Sequence, residues 1–206
     1  MPDDKLKKYH EKRDFAHTNE PIGQQPPASD QPLFVIQQHH ARTLHYDFRL
    51  EVDGVLKSWA IPKGPSTNPQ DKRLAVPTED HPLEYAQFEG VIPPGQYGAG
   101  PVMVWDIGTY RNLRDENDPD QPATMTDALQ QGRLQIYLQG HKLQGAFALF
   151  QTKGPDPRWL LVKMKDDHAN TPTDIGQPDA TSALTSRTIQ QIQQQSTGPK
   201  TQRNTT

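Results

Sequence analysis

The sequence predicts a mostly β protein, a single compact domain of short strands arranged as a barrel or a sandwich, with short helices and a disordered C-terminal tail. Three observations predict it. Residues 44–53 alternate strictly, with Leu44, Tyr46, Phe48, Leu50 and Val52 apolar and His45, Asp47, Arg49, Glu51 and Asp53 polar or charged, the period-two pattern of a half-buried strand. Short apolar runs recur between turn residues, and Pro makes up 20 of 206 residues, about twice the usual ~5%, which favours short strands and long connections over helices. Beyond residue 168 the chain turns Thr-, Gln- and Pro-rich, with too few apolar side chains to bury a core.

These features divide the chain into residues 1–32, a basic segment and Pro-rich tether; 33–168, the β domain; and 169–206, the disordered tail. In the first part, residues 3–13 read as a short helix, with Asp3 and Asp4 at its start and Lys12 and Arg13 at its end, as the helix dipole prefers. The polar residues 23–32 read as the tether. The β domain opens with the apolar run Phe34-Val35-Ile36 and continues into the alternating strand. Asp53-Gly54 then marks a two-residue hairpin turn, since a tight turn needs positive φ. Closing the hairpin there pairs Val52 with Val55, Leu50 with Lys57, Phe48 with Trp59 and Tyr46 with Ile61. Arg49 then opposes Ser58 and Asp47 opposes Ala60, leaving room beside both charged groups.

Further along, residues 73–76 read as a short strand ending at Pro77, and His81-Pro82 opens one or two helical turns, because Pro is tolerated at the first helical position. Residues 91–100 form a turn-rich loop. Residues 102–107 are apolar on both faces and read as a buried central strand. An acidic loop with Asp115, Glu116, Asp118 and Asp120 follows, then a helix capped by Thr126 and stopped by Gly132. Strands over 134–138, 145–151 and 159–165 complete the set.

Composition limits the functions open to such a domain. There is no Cys, which rules out disulfides and thiolate–metal sites. No apolar run approaches the ~20 residues of a membrane span, and the first residues lack an apolar signal segment; the expectation is a cytoplasmic protein with no membrane partner. Hydrophobic residues are 32% and mean hydropathy is -0.89. A net charge of -3 argues against a protein that grips long duplex through a basic surface, while leaving room for one that holds a few phosphates in a pocket.

Chemistry concentrates on the polar face of the alternating strand. His45, Asp47 and the nearby His39 offer two imidazoles and a carboxylate, ligands suited to Mn²⁺, Fe²⁺ or Zn²⁺. Arg49, Lys63, Arg73 and His81 all fall near strand ends. A metal with several cations is what a phosphoryl transition state requires. Two alternatives stand beside this reading. His45 and Asp47 with His81 or His141 fit the two-His-one-carboxylate set of non-haem Fe(II) oxygenases. A non-catalytic nucleic-acid-binding β-barrel would instead stack Tyr46, Phe48 and Trp59 on bases, although the alternation buries those rings.

The string QQHHARTLHYDFRLEVDGVLKSWAIPKGPS, preceded by RDFAHTNEP and followed by TEDHPLEYAQFEGVIPPGQYGAGPVMVWD, resembles the 3′-phosphoesterase domain of bacterial ATP-dependent DNA ligase D and its free-standing homologues. The resemblance runs from about residue 13 to about residue 165. It implies a compact β-barrel with a groove holding a divalent metal, usually Mn²⁺, with other divalent transition metals allowed. It also implies removal of a 3′-terminal ribonucleoside and then of the 3′-phosphate, leaving a 3′-hydroxyl in double-strand break repair by non-homologous end joining. By the same resemblance His39, His45 and Asp47 are the metal ligands, and Arg49 and His81 contact the scissile phosphate. Arg13, Asp14, Glu20, Gln37, Lys63, Arg73, Glu79 and Tyr85 match further positions tied to activity. His40 is a departure, a second imidazole beside a ligand. The expected partners are DNA primer-template 3′ ends with ribonucleotide or phosphate termini, acted on by a monomer that is either a solitary enzyme or works with ligase and polymerase activities from separate proteins. In the mechanism these residues suggest, Arg49 and Arg73 neutralise charge on the equatorial oxygens, and His81 is the candidate acid for the leaving oxygen.

Overall fold

The computed structural model describes residues 5–23, 31–113 and 124–197. A short helix α1 (Lys7–Glu11) precedes strands β1 (Leu33–His40), β2 (Leu44–Val52), β3 (Val55–Ile61) and β4 (Arg73–Pro77). A 3₁₀ turn (Leu83–Gln87), β5 (Gly90–Ile92), the long β6 (Gly100–Asn112), helix α2 (Met125–Gln130), β7 (Arg133–Gly140), β8 (Gln144–Gln151), β9 (Trp159–Lys163) and helix α3 (Ile189–Thr197) follow. The strand order β1-β2-β3-β4-β9-β8-β7-β6 closes through β1–β6 pairing into an eight-stranded antiparallel barrel, with β5 added to the edge of β6. Closure leaves the eight strands without free edges.

The β2–β3 hairpin has the register its sequence predicts, from Val52↔Val55 through Arg49↔Ser58 and Asp47↔Ala60 to Tyr46↔Ile61. Asp53 and Gly54 both have positive φ, 51° and 78°, the turn geometry that matches strand twist. On the other side of β1 the register with β6 slips at Ile36/Gln37, where Trp105 is the additional residue, a β-bulge of the kind that re-aims neighbouring side chains.

The lumen is solid. Phe34, Ile36, Tyr46, Phe48, Leu50, Trp59, Met103, Trp105, Leu134, Ile136, Phe147 and Leu149 belong to one buried cluster. A second apolar layer lies on the outer wall, where Val35, Leu56, Val102 and Val104 meet Leu6 and Tyr9 of the N-terminal segment, Leu83 and Tyr85 of the 3₁₀ turn, and Phe88 and Ile92. This corrects the half-buried reading of β2. Its polar face is covered, and Asp47 and Arg49 are only 6% and 3% exposed. Alternation specifies that a strand has two faces; it does not say which of them meets water.

The chain also stays packed past residue 168. Ala180, Ile189 and Ile192 are buried in the lumen cluster, the Ala183 amide donates to the Val104 carbonyl (2.9 Å), and Thr181 bridges Thr188. Asp174 accepts from Trp105 Nε1 (2.8 Å), and the Gly176 amide donates to the Tyr46 hydroxyl (2.9 Å). Ile189 and Ile192 are three residues apart, so a single helical face brings both inward. Residues 198–206 of the expected tail, most of the tether and the acidic loop lie outside the described residues. Two local expectations also change. Helix α2 is capped by Thr124, whose Oγ1 accepts from the Asp127 amide, while Thr126 donates to Asp53. The loop at 91–100 begins as β5. Among the described residues no helix is long and apolar enough to cross a membrane.

Candidate metal centre

The ligand set comes from adjacent positions on the outer wall. His39 and His45 face each other directly across the β1–β2 pairing, with ring centroids 4.8 Å apart. Asp47 is the next residue on the same face of β2. His39 Nδ1 lies 3.5 Å from Asp47 Oδ2 and His45 Nε2 lies 3.6 Å from Asp47 Oδ1. One ligand atom from each residue falls within 4.8 Å of the others. The far nitrogens explain why these atoms are usable. His39 Nε2 donates to the Gly98 carbonyl (2.7 Å), and His45 Nδ1 donates to the Thr43 carbonyl (3.0 Å). A carbonyl can only accept, so in the neutral form of each ring it is the nitrogen facing Asp47 that keeps the lone pair a metal would take. Such outer hydrogen bonds fix tautomer and ring orientation at metal centres, and the residues present fit a divalent cation.

Gly100 lets the Gly98 loop approach β1 this closely. A Cβ there would sit 2.0 Å from the His40 carbonyl oxygen. His40 itself turns to the other face of β1, its Nε2 3.1 Å from Gln38 Nε2, and burial with the two neighbouring imidazoles holds its pKa below the ordinary value.

Next to the ligands, Arg49 is fixed on every side. Nε donates to Gln37 Oε1 (2.8 Å), Nη1 to Ser58 Oγ (2.9 Å) and Nη2 to Asp47 Oδ2 (3.2 Å), and the guanidinium lies 4.9 Å from the Tyr85 ring centroid. Gln37 is held in turn, donating to the carbonyls of Tyr85 and Phe88. Burial alone would push the Asp47 carboxyl up, but Arg49 and the two histidines outweigh it and hold the group well below its usual range. His45 is also burdened by burial, yet Asp47 draws its pKa above the ordinary value.

His81 sits between two guanidiniums. Its backbone pairs with Leu56 of β3, and the side chain is 3% exposed. Its Nδ1 donates to the Glu79 carbonyl (2.9 Å), which leaves Nε2 to accept from Arg13 Nη2 (3.1 Å). Arg49 Nη1, 2.9 Å from Nδ1, is then a donor facing a donor. Burial, then Arg49 and Arg13, depress the His81 pKa far below its ordinary value, so the ring is neutral near pH 7. Arg13 also donates to Glu20 Oε1 (2.8 Å) and Glu79 Oε1 (3.1 Å). Glu20 accepts from the Tyr85 hydroxyl (2.9 Å) and Thr18 (3.0 Å). Glu79 resists the upward pull of burial because Lys12 and Arg13 hold it charged. Burial, reinforced by Glu20, pushes the Tyr85 phenol up.

A cavity of about 520 Å³ opens over this cluster, lined by Arg13, His39, His45, Asp47, Arg49, Glu79, His81 and Tyr85 among others. Gln37 and Glu20 stand behind it as supports. Three further residues singled out from the sequence neither line the cavity nor back it. Asp14 is exposed and accepts from His17 Nδ1 (2.7 Å), Arg73 pairs with Asp71 (3.0 Å), and Lys63 is exposed in the turn after β3. Arg13 and Arg42, rather than Arg73, join Arg49 in the lining of the cavity. His141 lies away in the β7–β8 turn, where its amide donates to Asp106. Among the described residues the metal-type cluster consists of His39, His45 and Asp47. Tyr46, Phe48 and Trp59 are inside the barrel and cannot stack on a nucleic acid. Sequence reasoning missed Arg42, Thr78, Tyr97 and the Gly98 carbonyl. The Gly-rich run 95–100 was a signal for a close backbone approach, but no side-chain pattern marks a carbonyl as a histidine's partner.

Comparison with known proteins points to one family. The family model for the DNA ligase D 3′-phosphoesterase domain matches residues 37–151. The multifunctional non-homologous end joining protein LigD of Pseudomonas aeruginosa is 48% identical over 176 residues, which cover 83% of this chain and 20% of that protein. The multifunctional non-homologous end joining DNA repair protein LigD of Mycobacterium tuberculosis is 47% identical over 164 residues, 79% of this chain and 20% of that protein. The Mycolicibacterium smegmatis LigD protein is 45% identical over 175 residues, 84% and 22%. The chain thus spans about a fifth of the length of these curated relatives. With the three ligand atoms converging within 4.8 Å beside a buried arginine and the family model covering the strands that carry them, the chain belongs to the DNA ligase D 3′-phosphoesterase domain family.

Proposed function

We propose that this chain is a divalent-metal-dependent hydrolase that heals DNA 3′ ends. In this reading it removes a terminal ribonucleoside and then the 3′-phosphate, leaving a 3′-hydroxyl for polymerase and ligase activities in break repair. The observation that carries the reading is the pair of histidines whose outer nitrogens are tied to backbone carbonyls, so that both lone pairs meet Asp47 next to Arg49. His39, His45 and Asp47 would hold the ion, Mn²⁺ or another divalent transition metal, whose chemistry here is Lewis-acid polarisation of a phosphoryl oxygen.

The remaining work falls to the protein's own side chains. Arg49 cannot swing away, because three hydrogen bonds hold it, so it meets the equatorial oxygens with little reorganisation. An arriving phosphate accepts from Arg49 and relieves its donor-to-donor contact with His81. The same negative charge offsets the two guanidiniums and raises the His81 pKa. His81 then takes up a proton from solvent at Nε2, giving up the hydrogen bond it accepts from Arg13, and passes that proton to the leaving oxygen. An oxygenase would share the ligand set, but the buried pair of arginines around a neutral imidazole suits an anionic substrate far better.

The test is a labelled primer-template ending in one ribonucleotide, incubated with and without Mn²⁺, with product end groups resolved. Metal-dependent appearance of a 3′-phosphate and then a 3′-hydroxyl is expected, and His45→Ala should abolish both. A His45→Ala protein with full metal-dependent activity would remove the assignment.

A further inference from the structure

The loop over residues 93–100 carries a second feature. While the Gly98 carbonyl holds His39, the preceding residue, Tyr97, stands in the lining of the same cavity with its surface 51% exposed. Its backbone is fixed by turns on either side, with the Gln96 amide donating to Pro93 and the Ala99 amide to Gln96, both at 3.1 Å. The Lys12 ammonium lies 4.4 Å from the ring centroid and 3.3 Å from the hydroxyl. Lys12 is itself anchored to Glu79 at 3.0 Å, so the cation holding the ring is tied to the wall of the cavity.

The result is a flat aromatic surface, steadied by a cation and open to solvent, at the edge of a cavity whose ion-binding side is charged. No other aromatic ring packs on Tyr97 among the described residues. The cavity, about 520 Å³, lies in the range that takes a drug-sized ligand, more room than one phosphoryl group fills. An exposed aromatic beside such a site serves nucleic acids by stacking, which is tolerant of sequence because every base has a π face.

We propose that Tyr97 is a specificity-determining residue, the platform on which the base of the 3′-terminal nucleotide stacks while its phosphate lies against Arg49 and the ligand cluster. The proposal rests on the phosphoesterase reading given above and adds the part of the substrate that is recognised besides the phosphate. Tyr97 takes no part in proton transfer or metal binding. Its contribution is to substrate affinity and to preference for a base-bearing end.

The test uses a primer-template whose 3′-phosphorylated terminal nucleotide carries 2-aminopurine, a base whose fluorescence falls on stacking. Wild-type protein, with the metal omitted to prevent turnover, should quench the signal on binding; Tyr97→Leu should quench it far less, and Tyr97→Trp should restore it. In steady state with Mn²⁺, Tyr97→Leu should raise KM about tenfold, the scale of one lost base–aromatic stack, with a much smaller change in kcat. On an abasic 3′-phosphate primer the difference between wild type and Tyr97→Leu should collapse. A merely structural role for Tyr97 would leave that difference intact on the abasic primer, which would overturn the proposal, as would equal quenching by wild type and Tyr97→Leu. Quenching that depends on Tyr97 without any phosphate release would remove the phosphoesterase reading and leave the base platform standing. Normal release with no dependence of quenching on Tyr97 would remove the platform alone.

Discussion

Arg49 shows how much a single side chain in this site is asked to do. It satisfies a buried carboxylate, a buried amide and a buried hydroxyl while facing the cavity. Removing it and replacing it with lysine therefore have different consequences. Arg49→Ala leaves Asp47 buried without its main counter-charge, and unfolding measurements should show a loss of about 3–5 kcal/mol. Arg49→Lys keeps the charge but loses the planar fork; kcat should fall about a hundredfold, in line with loss of one preorganised donor, with a much smaller drop in urea midpoint. His81 gives a pH signature. Its folded-state pKa lies well below the ordinary 6.5, so between those values the unfolded chain binds a proton that the folded chain does not. Stability must then fall as pH drops below about 6.5. His45, shifted upward, pulls in the opposite direction and is common to both proteins in a comparison with His81→Gln. That variant should show a shallower loss of urea midpoint between pH 7.5 and 5. At this scale the sequence was legible for chemistry and blind to position. His39, His45, Asp47, Arg49 and His81 meet in one cavity, whereas Lys63, Arg73 and Asp14, equally plausible as charges in a string, sit outside it.

Elements were most legible where local chemistry leaves one solution. Asp53-Gly54 allows one tight turn, and that turn propagates the register through the whole β2–β3 hairpin. Strands β7 and β8 follow the same logic of apolar runs between turns. Where partners are distant in sequence, the pattern was silent. The cover over Asp47 and Arg49 comes from residues before 24 and after 78, and nothing in residues 44–53 encodes it. Helix α3 was invisible for another reason, since two isoleucines among glutamines look like a solvated tail until a barrel supplies the surface they fill. Ile192 is 1% exposed, and Ile192→Ala should cost about 2–4 kcal/mol, the range for emptying a packed core position, readable as a lower urea midpoint with unchanged m-value. A midpoint identical to wild type would mean that the helix is not docked in solution.

At the scale of the molecule, the charge distribution sets how the proposed DNA substrate can be held. Net charge is -3, and Arg13 and Arg49 are committed to internal partners. A protein of this kind grips few phosphates. Binding of a primer-template should therefore depend weakly on salt, with a slope of log K against log[salt] near -2 to -3, the value for about two or three neutralised phosphates. A slope near -8 would indicate an extended electrostatic track that these residues do not provide. The mostly β class was legible from the outset because composition, proline content and alternation all point to it, while the choice of a barrel over a sandwich came from the family resemblance. That the site hangs on the outer wall was not, since a strand pattern carries no information about which side of a closed sheet is the inside.

The filled lumen makes the barrel's integrity and the assembly of the outer-wall shell two separate matters. The strands draw their cohesion from the packed interior, whereas Arg13 and Glu20 reach the site only through the N-terminal segment laid over the outside. A preparation in which that segment has come away can therefore still give the circular dichroism of an intact barrel while the outer-wall cavity is incomplete. For this architecture, a barrel-like spectrum certifies the scaffold and says little about the workshop bolted to it.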